Sequence, residues 1–179
     1  MLAKSAYSVD WNRGVEDLFA ESAAQEVAAA ALRDDVDSIL RLHDLGIDVD
    51  SAGEGGITPL FLAVVNSNQR SARVLLDLNA NPDVDLDIGY SALKAALVLR
   101  DATLVELLLE HNANPDLVTG QKIVGPPLFD ALEGPGIRVG PSQFIDLLLK
   151  HGANPNLPSQ SGTYVVNFAA AMVRYDHVY

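Results

Sequence analysis

Apolar residues recur in this chain at steps of three and four, within stretches that look alike. Four of them are SILRLHDL (38–45), SARVLLDL (71–78), LVELLLEH (104–111) and FIDLLLKH (144–151). Laid under one another, Ile39, Ala72, Val105 and Ile145 share a column, and Leu42, Leu75, Leu108 and Leu148 share another. That spacing is the buried stripe of a helix. Each stretch runs into a related pentapeptide: GIDVD (46–50), NANPD (79–83), NANPD again (112–116) and GANPN (152–156). Their starts at 46, 79, 112 and 152 give intervals of 33, 33 and 40 residues. Gly46, Asn79, Asn112 and Gly152 open the pentapeptides and are residue types that tolerate φ > 0 at a helix C-terminus.

A second signal follows each pentapeptide. It reads GITPLFLAV (56–64), GYSALKAAL (89–97), PPLFDAL (126–132) and GTYVVNFAAA (162–171). Thr58 can cap free N–H groups, and Pro59 sits where a helix needs no N–H. Each unit is therefore expected to be a projecting turn, a short helix, a second helix and a closing loop. One such helix pair cannot bury its own apolar face, and stacking similar pairs makes a continuous core. The pentapeptide is then a joint, with structural Asn and Pro residues.

The pattern breaks in three places. The third interval is seven residues longer: two fall in the turn LVTGQKIVGPP (117–127) and five in EGPGIRVGPS (133–142). Gly and Pro in the second insertion forbid a continuing helix, so a long loop is expected there, either on a working face or as a tolerated surface insertion. Residues 1–21 carry Trp11, Val15, Leu18 and Phe19 at helical spacing and read as a segment capping the exposed end of the stack. The last unit stops early, with RYDHVY (174–179) reading as the opening of a second helix.

TPLFLAV followed by VLLDLNANPD resembles the ankyrin repeat, whose usual form is TPLH-x-A followed by LL-x-x-GA. The likeness covers roughly residues 22–179. Departures are Phe61, Lys94, Phe129 and Asn167 where the family often has His, and His43 in place of a Leu in the first unit. The resemblance implies an all-α solenoid of stacked helix-turn-helix units with projecting turns. Residues 1–21 would cap it, and residues 22–179 would form about four repeats and a truncated fifth.

Composition narrows the partners. The chain has 179 residues, 49% apolar and 20% charged, which suits a globular fold. A net charge of -12 disfavours nucleic acid and anionic membrane surfaces, and no stretch approaches the ~20 apolar residues of a membrane span. The charge would attract a basic partner, though acidity also serves solubility alone. No Cys is present, which excludes disulfides, thiolate nucleophiles and Cys-ligated metals. MLAKSAYSVDW has no apolar segment of a signal peptide. The chain alone reads as cytoplasmic, or as periplasmic if a leader has been removed.

Candidate chemistry is sparse. DVDLDIG (83–89) sets Asp83, Asp85 and Asp87 at alternate positions like the opening of a calcium loop, but Ile88 stands where Gly is required and Lys94 where a bidentate Glu is required. Four His residues (43, 111, 151 and 177) form no zinc-ligand motif, and His111 and His151 share a helix-end column that suits a cation. No nucleophile elbow or phosphate-binding Gly loop occurs, and no metal or cofactor is expected.

The resemblance implies a non-enzymatic protein-binding module gripping its partner with turns and first helices. Expected turn contacts are Glu54, Ile57, Asp83, Asp85, Asp87, Tyr90, Lys122 and Ile123. Expected groove-facing contacts are Phe61, Asn66, Lys94 and Arg100, with Tyr90 the best single anchor. Short acidic stacks of this kind resemble bacterial ankyrin proteins, several of which are immunity proteins blocking a co-encoded toxin such as a secreted phospholipase effector. A scaffold or host-directed ankyrin protein that tethers a partner is the alternative. An atypical hydrolase or metal-dependent enzyme, centred on the three aspartates, is a third reading.

Overall fold

The computed structural model of the chain describes residues 14–87, 89–119, 125–132 and 142–167. Trp11, Ile88, Lys122, Ile123, nearly all of the 133–142 insertion and RYDHVY lie outside the described residues. Helices follow in the order α1 (Val15–Leu18), α2 (Ser22–Leu32), α3 (Val36–Asp44), α4 (Pro59–Val65), α5 (Gln69–Asp77), α6 (Ala92–Leu99), α7 (Ala102–Glu110), α8 (Pro127–Leu132) and α9 (Ser142–Lys150). Among the described residues there is no named strand, only an isolated bridge between Pro158 and Tyr164.

Local chemistry starts and stops these helices at repeated positions. Thr58 Oγ1 accepts from the Phe61 amide at 3.2 Å, and Ser91 Oγ from the Lys94 amide at 3.3 Å. Asp35 and Asp101 cap α3 and α7 through the Ser38 and Leu104 amides, each at 3.1 Å. The Ser38 hydroxyl and amide bonds hold the Asp35 carboxyl below its ordinary pKa. Gly46, Asn79, Asn112 and Gly152 have φ of 82°, 66°, 64° and 89°. Asp34, Ser67 and Arg100, spaced 33 apart, close the first helices with φ of 55°, 57° and 58°. After each left-handed residue the next amide reaches back to a carbonyl five residues earlier: Asn68 to Ala63 at 2.9 Å, Ala80 to Leu75 at 2.9 Å and Ala113 to Leu108 at 2.9 Å. Carbonyls stranded at the helix ends are thereby satisfied.

Two layers result. First helices α2, α4, α6 and α8 pack on one another in sequence order, as do second helices α3, α5, α7 and α9. The column residues Ile39, Ala72, Val105, Leu75, Leu108 and Leu148 are all 0% exposed. Leu18 and Phe19 join the same core. This is the all-α solenoid that the apolar columns require, since each pair buries its stripe only against its neighbours.

The central first helices, α4 and α6, are buried far more completely than expected. Every residue of α4 is buried, and so are Ala92–Leu97 of α6. A helix that is apolar on all sides has no face left for solvent. α4 and Ala92–Leu97 of α6 therefore offer no exposed side chain.

Candidate partner-binding edge

The pentapeptide is a hydrogen-bonded joint. Its third residue accepts from the amide of its fifth: Asp48 from Asp50 at 2.9 Å, Asn81 from Asp83 at 3.0 Å, Asn114 from Asp116 at 2.9 Å and Asn154 from Asn156 at 2.9 Å. The fifth residue then reaches the next unit. The Asn81 amide donates to Asp50 at 2.9 Å, the Asn114 amide to Asp83 at 2.9 Å and the Asn154 amide to Asp116 at 2.8 Å. Charge-assisted bonds of this kind are among the stronger polar contacts. Partial burial pushes the Asp50 carboxyl up, against the bond from Asn81. The ladder fixes the spacing between units on the loop side, as the repeated NANPD requires.

The projecting turns are tied in a similar way. Gly53 N–H donates to Ile57 O at 2.8 Å, Leu86 to Tyr90 O at 3.1 Å and Ser159 to Thr163 O at 2.8 Å, closing three fingers at equivalent positions. Neighbouring fingers are joined by the Asp87 amide on Gly55 O at 3.0 Å and by Thr119 Oγ1 on Gly89 O at 2.9 Å. Gly55 and Gly56 adopt φ of 68° and 75°, a conformation that side chains with a Cβ rarely take, so the tip of the first finger needs glycine. The first two fingers are thus joined into an edge, and Thr119 ties the start of the next turn to the second.

Three predicted contacts stand out on that edge: Glu54, Asp85 and Asp87 are exposed on two adjacent fingers. Tyr90 is half-buried at a finger base, where burial and the Asp130 carboxylate push its phenol pKa up. Asp83 is half-buried and committed to the ladder, so its carboxylate is a joint and not a fingertip. Among the described residues no group of three or more His, Asp or Glu could hold a metal ion.

Several expectations need correction. Ile57 and Phe61 are each 1% exposed, and Lys94 is 2% exposed: Ile57 is not an exposed turn contact, and Phe61 and Lys94 face no open groove. Ile57 and Phe61 belong to the hydrophobic core. Lys94 is an internal cation, 3.0 Å from Asp130 and donating to Gly125 O at 3.3 Å. Arg100 is half-buried between units: it donates to Ala131 O at 3.1 Å, and its guanidinium lies 5.0 Å from the Phe144 ring centroid. Burial lowers its pKa. Asn66 donates to Leu62 O at 2.8 Å and terminates α4. His111 sits at a helix end as expected, with Nδ1 2.9 Å from Leu107 O and Nε2 3.0 Å from Asp77 of the preceding unit.

Thr119 and Asp130 were not singled out by the sequence reading. Thr119 lies in the elongated turn and carries no motif. Asp130 did leave a trace, since it occupies a column held by Leu62 and Ala95, and a lone carboxylate in an apolar column calls for a cation nearby. Among the described residues no helix is long and apolar enough to cross a membrane.

Compared with known families, residues 27–119 match a family described as ankyrin repeats, three copies. No curated protein matches the chain.

Proposed function

The chain belongs to the ankyrin repeat family, and from that premise we propose that it binds a protein partner through the acidic edge formed by Glu54, Asp85 and Asp87, with Tyr90 at its base. Ankyrin repeats are protein–protein interaction modules. One observation carries the choice of surface: three carboxylates are exposed on two fingers held together by the Asp87–Gly55 bond, while the helices behind them are buried. A preorganised edge loses little freedom on binding, so its contacts translate into affinity. The net charge of -12 favours a partner with a basic surface, through faster encounter and through rejection of acidic competitors.

The finer reading is an inhibitor that lays this edge over a basic active-site cleft, as an immunity protein would over a co-encoded toxin such as a secreted phospholipase effector. Such a role requires no chemistry from the chain itself. Affinity capture from the source organism, identification of the retained protein and titration of that protein in purified form test both levels. Asp85→Lys with Asp87→Lys is expected to slow association roughly tenfold at low salt, with the difference shrinking as salt rises. Affinity unchanged at low salt would remove this edge from the interface. A retained enzyme whose turnover is unaffected by saturating wild-type chain would end the inhibitor reading and leave a tethering role.

A further inference from the structure

The joint between the third and fourth units differs from the others. At equivalent positions the second unit has Phe61 and Leu62, both in the core. Here a cation and a carboxylate enter instead: Lys94 from α6 and Asp130 from α8, with side chains 3% and 15% exposed and 3.0 Å apart. The same ammonium donates to Gly125 O, at the end of the elongated turn. Thr119, at the start of that turn and 0% exposed, donates its hydroxyl to Gly89 O. Both described feet of the turn thus rest on the third unit, by directional polar bonds. The fourth unit, to which this turn belongs, is also where the 33-residue period is first broken, so the apolar columns alone no longer dictate where its feet sit.

We propose that Lys94 and Thr119 are positioning residues that hold the two described feet of the fourth unit's turn, at Thr119 and Gly125, in register with the third unit's finger. The functional meaning of this rests on the fingertip reading above; the positioning itself does not. A buried ion pair contributes little net stability compared with well-packed apolar residues of similar volume, and its best-attested use is to select one arrangement over its neighbours. An apolar joint would let these feet slide, because dispersion contacts are not directional. The ammonium and the hydroxyl allow one register, in which both feet find their carbonyls.

The chain has no Cys, so spin labels go only where cysteines are introduced. Labels at Ala52→Cys and Val118→Cys, both exposed positions beside different fingers, report the distance between them in the free chain. One narrow distance distribution is expected for the wild-type background. Lys94→Met with Asp130→Leu is expected to keep the melting temperature at or above that of the wild type while the distribution widens about twofold. Should that variant melt below the wild type, Thr119→Val carries the test, with the same direction of widening expected. Unchanged width in a folded variant overturns the proposal. No partner is involved, so this outcome is separate from that of the charge-reversal titration.

Discussion

Leu108→Asp is expected to abolish the folded state. Leu108 is 0% exposed, and its column is filled by Leu42, Leu75 and Leu148 along the seam of the second helices. A carboxylate there meets only apolar neighbours, and an unpaired buried charge costs more than ~5 kcal/mol, comparable with the ~5–15 kcal/mol that holds a domain together. Nearest-neighbour coupling spreads the damage, because α7 is the surface on which both α5 and α9 pack. Far-ultraviolet circular dichroism and a urea titration read the result: loss of helix and of the cooperative transition. Thr103→Asp, on the exposed face of the same helix, is the control, expected to stay within about 0.5 kcal/mol of the wild type. A folded Leu108→Asp chain would mean that the seam is not where stability resides.

Phe61→Ala carries the second large effect, because it separates a core position from a groove contact. At 1% exposure, losing the ring removes apolar burial and leaves a cavity, at a cost of about 3–5 kcal/mol. A groove-facing phenylalanine would cost within about 0.5 kcal/mol of nothing. Urea unfolding distinguishes the two, provided the slope of the transition is unchanged.

The periodic features were legible because repetition isolates the physics. Ile39, Leu42 and their counterparts declare a helix stripe through spacing alone, and Thr58, Gly46 and Asn79 are residue types with few other uses at those places. The left-handed Asp34, Ser67 and Arg100 were less visible, since no glycine marks them. The resemblance puts first helices along an open groove, which is why it points to Phe61 and Lys94 as groove contacts, and it puts Ile57 on a projecting turn. The residues themselves argued otherwise, as PLFLAVV contains no polar side chain with which to face water. Lys94 looked like a surface cation because its partner Asp130 lies on the next unit, at a separation that sequence spacing does not reveal. Asp83 begins DVDLD and so looks like a fingertip; its repetition as Asp50 and Asp116 is the better signal, since a joint recurs with every unit.

Which face meets the partner decides how the protein works, and carboxyl-group footprinting of the complex measures that directly. The protein distributes exposed carboxylates over two faces: Glu54, Asp85 and Asp87 on the fingers, and Asp37, Asp77, Glu106 and Glu110 on the second helices. Partner binding is expected to protect the first three from labelling and to leave the other four at their free rates. Protection of the helix carboxylates with the finger carboxylates still labelled would contradict it.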